Sequence, residues 1–511
     1  MPQLHLPSEL LHEILTCGQL EGWEKHDLAR CARVSTRWNL VATPLLWEHI
    51  EGLIPLLNLM PEGAWRHLHA MHSDGVYQGI LRPLTEGDWE PVYKRSCLVK
   101  TFHFRTYGSF TMAPDCPLQV VQALAACPPQ QALMPHLRQL CYENLGPEPL
   151  GETHDRMLGI LLSPDLTSLV VPANWQSISI DSGVAASAPL LEGLTLALDS
   201  FSPTSDACMG LIRALQHWTN LKSAHIHGIS RCLALDALAC LSQIRSLKSL
   251  EMICIGDDAN LDALCPSFDT TVPVFPSLQS LVLSGLSPDD AASVIRSWRF
   301  RGVTLLHMTE LSNTGGQGFR PVAQAIKECL DHDTLRDIRL QGWDFVSSLE
   351  FEDMQFLFPF RRLTHLRLEQ SAGFSLTDEE HANVASWWPN LEVLRYEWLD
   401  RWNDPWAMRA PATLRALVHY ALSCPRLQEL RIFISALEAP GSFPEEVLDR
   451  DYDHPLTLLH VGNSPISDDL HDIAIAGSLV YGLFPRIQTL VSDPPGNGGW
   501  EILLSIACPD E

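Results

Sequence analysis

Positive charge is scarce in this sequence. Its 511 residues include 35 Lys and Arg against 61 Asp and Glu, which gives a formal net charge of −26. General binding to nucleic acid needs a basic surface that displaces counterions from the phosphates, and docking on an anionic membrane needs basic residues as well. The composition therefore predicts that neither a nucleic acid nor a membrane is a partner.

Long apolar runs and paired cysteines are also missing. No stretch approaches the roughly 18 apolar residues that span a bilayer. The opening residues MPQLHLPSEL have neither the basic start nor the apolar stretch of a signal peptide. The 14 cysteines form no CxxC pair, so we interpret them as reduced thiols, most of them small core residues. These features predict a location in the cytoplasm, the nucleus or both.

Motifs of catalysis and of metal or cofactor binding are missing too. No GxSxG, HExxH or EF-hand pattern occurs, and the glycine-rich turn at 315–318 lacks the Lys-Ser/Thr of a phosphate loop. His67, His69 and His72 form an HxHxxH cluster, but on a helix only the last two would share a face, so a solvated helix is favoured over zinc. His225 and His227 share a strand face without a third ligand. We predict no enzyme activity, no metal and no cofactor.

An internal repeat is the most regular feature of the chain. The spacing apolar-x-x-apolar-x-apolar recurs at intervals of 25 to 36 residues from residue 137 onward, and several of the segments between copies have helical periodicity. One strand, one helix and two turns need about this length. The clear copies begin at Leu137, Leu166, Leu191, Leu247, Leu278, Val303, Leu335, Leu363, Leu391, Leu427 and Leu456, and the weaker ones at Val99, Leu221 and Ile487.

A single strand–helix unit cannot bury its own apolar face, whereas stacked units share one core. We therefore predict an α/β solenoid over residues 99–511, with a parallel sheet on the concave face and helices outside. At this point the sequence resembles leucine-rich-repeat proteins of the strand–helix type, in a degenerate and uneven form.

Residues 1–50 do not follow the repeat and predict a small all-α module. Leu6, Leu10 and Ile14 fall on one helical face, and Asp27 and Trp38 lie in a second and a third predicted helix. This stretch resembles an F-box. The matching residues are Leu6-Pro7, Glu9, Leu10, Ile14-Leu15, Asp27-Leu28, Val34, Arg37-Trp38, Pro44 and Leu46-Trp47.

The segment that follows, 51–98, is predicted to be a helical linker. Residues 56–61, Asp88-Trp89 and Tyr93 of this segment, with Val99-Lys100 directly after it, resemble the linker of fungal F-box proteins with degenerate leucine-rich repeats. The resemblance implies a substrate-recognition subunit of a cullin–RING (SCF-type) ubiquitin ligase. In such a complex the F-box docks on a Skp-type adaptor, which connects to cullin and RING subunits, and the repeats bind the target protein.

The resemblance assigns seven residues to the adaptor interface or to the core that supports it. Two alternatives remain open: the seven side chains only pack a free-standing helical bundle, or the chain is an interaction scaffold that acts outside ubiquitination. An enzyme built on the solenoid is a third alternative, and it lacks any catalytic constellation. The seven residues are Leu6, Pro7, Leu10, Ile14, Leu28, Val34 and Trp38.

The repeats also predict a target-binding surface. Side chains alternate along a strand, so the residue between the last two apolar positions faces away from the core. In successive repeats this residue is His307, Arg339, Arg367, Arg395, Arg431 and His460. Acids that fall on the same face are Asp337, Glu369, Glu397 and Glu429. The charges form either a self-neutralising lattice or a stripe that recognises an acidic or phosphorylated target.

Overall fold

The structure is a computed structural model. It describes residues 6–20, 24–68, 77–105, 118–143, 151–171, 182–197, 205–255, 274–298, 300–312, 319–343, 351–370, 374, 376–398, 412–437, 453–492 and 498–507. The chain forms two compact units. The first comprises residues 1–229 and 236–247, and the second comprises residues 230–235 and 248–511. Each unit is described by itself.

Helices lie before the first strand, between most successive strands and after the last strand of the described chain. In the first unit they are α1 (Ser8–Leu20), α2 (Lys25–Ala32), α3 (Thr36–Glu48), α4 (Ile54–Leu57), α5 (Glu86–Ser96), α6 (Leu118–Ala126), α7 (Gly151–Leu161), α8 (Ser182–Ser187) and α9 (Ser205–His217). Helix α10 (Arg231–Leu241) has residues in both units. In the second unit they are α11 (Pro288–Trp298), α12 (Arg320–Cys329), α13 (Phe351–Met354), α14 (Asp378–Trp387), α15 (Arg415–Ser423), α16 (Leu470–Leu483) and α17 (Gly498–Ala507).

Parallel strands run through both units. In the first unit the order is β1 (His49–Glu51), β4 (Thr101–Arg105), β5 (Gln139–Glu143), β6 (Ser168–Val171), β7 (Gly193–Ala197) and β8 (Ser223–Ser230). In the second it is β9 (Ser249–Ile255), β10 (Ser280–Ser284), β11 (Leu305–Ser312), β12 (Asp337–Trp343), β13 (His365–Gln370), β14 (Val393–Trp398), β15 (Glu429–Arg431), β16 (Leu458–Gly462) and β17 (Thr489–Ser492). The predicted α/β solenoid is confirmed, since within each unit every strand in this order pairs in parallel with the next.

Alternating burial explains why the degenerate repeats still stack. In β13, Leu366 and Leu368 are buried while His365 and Arg367 are half-buried. The second apolar residue of each clear copy, such as Leu194, Leu281 or Leu430, is at most 1% exposed. Period-two alternation therefore gives one face of the strands to the apolar core and leaves the other face to polar side chains.

A backbone device joins neighbouring repeats without needing a particular side chain. The carbonyl just before each of strands β4–β7 and β9–β16 accepts two consecutive N–H groups from the next repeat. For example, Arg336 O accepts from Thr364 N at 2.8 Å and from His365 N at 3.0 Å, and Glu392 O accepts from Gln428 N and Glu429 N. Since backbone groups make these bonds, the repeat tolerates wide variation in sequence.

The parallel strands begin earlier than the sequence predicted. Residues 49–51 form β1, which pairs with β4 in register from His49 opposite Thr101 to Glu51 opposite His103. Strand β1 follows α3 with no intervening residue. Because α3 leads directly into a paired strand, the α1–α3 module joins the first unit through hydrogen-bonded backbone.

The segment 51–98 contains more than helices. Between α4 and α5 it forms an antiparallel pair of strands, β2 (Trp65–Leu68) and β3 (Tyr77–Ile80). His67 lies in β2, so the predicted helix at the HxHxxH cluster is wrong at that residue, while His69 and His72 lie outside the described residues. Aromatic residues such as Trp65 and Tyr77 are enriched in strands.

Other local predictions have mixed outcomes. The predicted capping box is confirmed, since Glu380 N donates to Thr377 Oγ1 and Thr377 N donates to Glu380 Oε2. Of the segment 494–499, predicted to be a terminal loop, Gly498 and Gly499 begin α17, in which Trp500 and Leu503 are buried, while residues 494–497 lie outside the described residues. The turn at 315–318 lies outside the described residues. Within the described part of the chain, no helix is both long and apolar enough to cross a bilayer.

Candidate functional sites

Helices α1–α3 enclose a small apolar core. Leu15, Leu28, Ala42 and Leu45 are buried together, and Cys31, Ala32, Trp38, Val41 and Leu46 pack against them while partly exposed. Ser35 caps α3 by accepting a hydrogen bond from Trp38 N, and Glu24 with Asp27 caps α2. Few side chains hold this module together, so large apolar groups left outside this core are conspicuous.

Five of the seven residues assigned to the adaptor interface are exposed. Pro7 is exposed, and Leu6, Leu10, Ile14 and Val34 are 40%, 41%, 38% and 66% exposed. In α1 the neighbouring Leu11 and Leu15 turn inward instead. These five side chains therefore keep surface open to solvent, whereas the alternative in which all seven pack the bundle predicts that they lie in its core.

The other two predicted residues support the module from inside. Leu28 is 1% exposed, and Trp38 is partly buried against the same core. Leu40, which the sequence reasoning missed, is 70% exposed. Its position could have been found from the helical pattern, because Trp38, Val41 and Leu45 share the core face of α3 and Leu40 does not. We name the exposed set (Leu6, Pro7, Leu10, Ile14, Val34 and Leu40) the N-terminal apolar group.

The second candidate site lies in the second unit. The six predicted cationic positions occupy one register position across six strands, since each pairs directly with the next. We name this row the arginine stripe: His307, Arg339, Arg367, Arg395, Arg431 and His460. Parallel neighbours lie about 4.8 Å apart, so the four guanidinium groups repel each other unless anions intervene.

Carboxylates on the same face do intervene. Arg339 contacts Glu369 through Nε at 2.9 Å and Nη2 at 3.0 Å. Arg395 contacts Glu429 in the same two-point manner, through Nε at 2.6 Å and Nη2 at 3.0 Å. The pKa of Arg395 is raised, chiefly by its hydrogen bond to Glu429.

One further ion pair and one hydrogen bond complete the charged row. Arg431 Nη1 lies 3.0 Å from Glu397 Oε1, and His307 Nε2 lies 3.1 Å from Asp337 Oδ1. The self-neutralising lattice that the sequence allowed is therefore largely present. Arg367 alone among the four arginines has no ion pair or hydrogen bond within the described residues, and its Nε is buried.

The His307–Asp337 pair has the form of a catalytic base with its orienting acid. Within the described residues, however, no hydroxyl or thiol hydrogen-bonds to His307, so no nucleophile accompanies the pair. Groups of three or more His, Cys, Asp or Glu side chains able to hold a metal are likewise missing from the residues described. In this arrangement the pair is one more polar contact of the stripe, in which the Asp337 carboxylate accepts a hydrogen bond from His307.

The helical module at the start of the chain is similar to a known family. Residues 3–51 match the F-box-like family model. The match coincides with α1–α3 and β1, the region that carries the N-terminal apolar group. A search of curated proteins finds no match.

Two solved structures resemble the chain weakly. One is a complex of Rad7 and Elc1 from yeast, with 15% identity, a TM-score of 0.35, and coverage of 76% of this chain and 81% of that one. The other is a Bacteroides fragilis protein from a structural genomics consortium, with 14% identity, a TM-score of 0.29, and coverage of 53% of this chain and 68% of the other. Neither likeness is strong enough to support an argument about function.

Proposed function

We propose that this chain is a substrate-recognition subunit of a cullin–RING ubiquitin ligase. The F-box-like module docks on a Skp-type adaptor, and the solenoid binds a target protein. The observation that carries the proposal is the coincidence of the F-box-like match at residues 3–51 with a group of exposed apolar side chains on α1–α3.

The docking argument is physical as well as comparative. A partner that covers a half-exposed Leu or Ile removes apolar area from water, and complete burial of such a side chain contributes about 1.5–3 kcal/mol. Leu6, Leu10, Ile14, Val34 and Leu40 are each at least 38% exposed, and large apolar side chains of this kind form the core of protein interfaces. An isolated soluble module gains nothing from exposing all of them.

The solenoid supplies the second half of the proposed function. Its strands repeat one backbone unit, so variation in the exposed side chains changes the binding surface without changing the fold. In this role the chain performs no chemistry of its own: it positions the target while other subunits transfer ubiquitin. The target-binding residues we propose are those of the arginine stripe.

Adaptor docking is tested with the double variant Leu10→Asp and Ile14→Asp. Both side chains are exposed, so the module should stay folded while capture of a Skp-type adaptor and of cullin is lost. The matched control is Leu190→Asp, which changes another half-exposed leucine (49%) outside the module. Adaptor capture by the double variant at the wild-type level would refute the docking role and favour a scaffold outside ubiquitination.

Targets are best sought with the same double variant rather than with a deletion. Removing residues 1–50 would strip β1 from β4 and break the ion pair of Lys100 Nζ with Glu48 Oε1 at 2.9 Å. In cells with the proteasome inhibited, partners lost from the double variant are ligase subunits. Partners that the double variant retains, and that accumulate when the proteasome is inhibited, are the targets.

A further inference from the structure

One of the four arginines in the arginine stripe has no glutamate partner. Four guanidinium groups share the face with three glutamates, and the fourth carboxylate, that of Asp337, accepts a hydrogen bond from His307 instead. Arg339 holds Glu369, Arg395 holds Glu429, and Arg431 holds Glu397. Rotating a side chain can change which arginine is left over but cannot supply a fourth glutamate. One arginine without a glutamate partner is therefore a property of the sequence in this register.

The register explains why Arg367 is the residue left over. Arg395 meets Glu429 on the next strand, at the position paired with Val393. The equivalent position on the strand next to Arg367 is Val393 itself, which is paired with His365. An apolar side chain thus stands where the neighbouring repeat has a carboxylate.

The remaining acids near Arg367 are already engaged. Glu369, on the same strand, is 3% exposed and held at two points by Arg339. Glu397, on the next strand, lies 3.0 Å from Arg431 and 3.6 Å from Arg395. Arg367 keeps a buried Nε with no partner in the described part of the chain, and arginines flank it on both sides in the register.

Such an arrangement is unfavourable unless a ligand completes it. A buried donor without an acceptor costs free energy that solvent cannot repay, and like charges in adjacent strands destabilise each other. An anion at Arg367 would accept the unused N–H groups and lower the repulsion at once. A phosphate or a carboxylate fits best, because a guanidinium fork binds either through two oxygens.

We propose that Arg367 is the anion-recognition residue of the target-binding face. It binds one phosphate ester or carboxylate group of an extended target segment. Arg339, Arg395 and Arg431 are paired with glutamates and contribute to the electrostatic potential around the site. The inference rests on the proposed function only in assigning this face to the target. The geometry of the site itself is independent of adaptor docking.

The first test compares the stability of two variants of the full chain. Arg367→Gln removes an uncompensated charge, so the midpoint of thermal unfolding should stay the same or shift upward. Arg395→Gln leaves Glu429 without its partner, so the midpoint should shift downward. Equal downward shifts for both variants would show that Arg367 is a structural cation like its neighbours, and would overturn the proposal.

The second test measures binding by fluorescence anisotropy at fixed ionic strength. The probes are short labelled glycine–serine peptides with a central phosphoserine, glutamate or serine. Wild type should bind an anionic peptide more tightly than the serine peptide, and Arg367→Gln should weaken that binding at least about tenfold. A phosphoserine peptide that binds alone assigns a phosphorylated target, whereas binding of the glutamate peptide as well assigns an acidic one.

A charge-matched control separates the site from general electrostatics. Arg301→Gln removes one exposed positive charge from the loop between α11 and β11, and it should leave peptide binding unchanged. Equal loss in Arg301→Gln, or no preference of wild type for an anionic peptide, would overturn the proposal. Adaptor capture measured on the same variants shows separately whether the proposed ligase role fails.

Discussion

His381 Nδ1 lies 2.8 Å from the hydroxyl oxygen of Tyr420 in the core of the second unit. The ring of His381 is 3% exposed, and burial lowers its pKa to about 4, although the negative charge of Asp378 acts in the opposite direction. The folded protein therefore holds His381 neutral at pH values where an unfolded chain would protonate it.

This relationship predicts a loss of stability in mild acid. Between about pH 6.5 and pH 4 the unfolded chain binds a proton at His381 that the folded chain does not. The free energy of unfolding therefore falls by up to roughly 3 kcal/mol as pH falls through that window. Denaturant unfolding at pH 7 and at pH 5 measures this fall in the free energy of unfolding. His381→Asn should flatten the dependence, whereas His471→Asn, at an exposed position, should not.

The core of α1–α3 should depend strongly on Leu28. Leu28→Ala removes a side chain that is 1% exposed, and comparable buried truncations cost about 2–5 kcal/mol. Val34→Ala, at a 66% exposed position, should change stability by less than about 0.5 kcal/mol. Hydrogen exchange of the backbone amides of α1–α3 measures the stability of the module in both variants. Equal protection in the two variants would show that Leu28 does not hold the module together.

Gly285 should be intolerant of any side chain. Its φ is +74°, and a Cβ there would lie 2.0 Å from the carbonyl oxygen of Cys254. Gly285→Ala should therefore lower the free energy of unfolding by roughly 2–5 kcal/mol, from backbone strain and overpacking combined. Gly462→Ala is the matched variant, with φ +56° and no atom within 4 Å of the added Cβ. It should cost about 1–2 kcal/mol, so similar losses would rule out the clash.

Asp88 links the segment before α5 to the helix. It accepts from Arg82 Nη1 at 2.8 Å and Nη2 at 2.6 Å, and from Thr85 N at 2.7 Å. The hydrogen bond from Arg82 contributes most to holding the pKa of Asp88 well below its usual range. Asp88→Asn should cost about 1–3 kcal/mol at pH 7.

The effect of Asp88→Asn should shrink in acid. A depressed carboxyl pKa contributes stability above the ordinary value near 3.8, and that contribution is lost as pH falls below it. Thermal unfolding of wild type and variant from pH 7 to pH 2 would reveal the convergence. Glu90→Gln, an exposed change in the same helix, should stay within about 0.5 kcal/mol of wild type throughout.

The strand–helix repeats could be predicted from the sequence because their apolar spacing is a local pattern. The apolar spacing at Leu363, Leu366 and Leu368 is satisfied within one strand, and the cap at Thr377 lies within one helical turn. Strand β1 was missed because three residues carry no periodicity, and only its pairing with β4 makes it a strand. Helix α17 was missed because glycines at its start are typical of loops.

The candidate sites divide in the same way. Alternation predicted that Arg339, Arg367, Arg395 and Arg431 share a face, and the register confirms that they do. Which arginine would lack a carboxylate was not readable, because Glu369 could serve its own strand or either neighbour. The exposure of Leu40 likewise depends on which face of α3 meets α2.

The sequence by itself determined the strand–helix repeat, the helical start of the chain and the row of arginines, because each follows from spacing along a single element. Only the tertiary structure decided which apolar residues of α1–α3 remain outside the core, how the glutamates distribute among the arginines, and that Arg367 is left over. Those outcomes depend on neighbours from other repeats and helices, and such contacts are fixed only when the strands come into register.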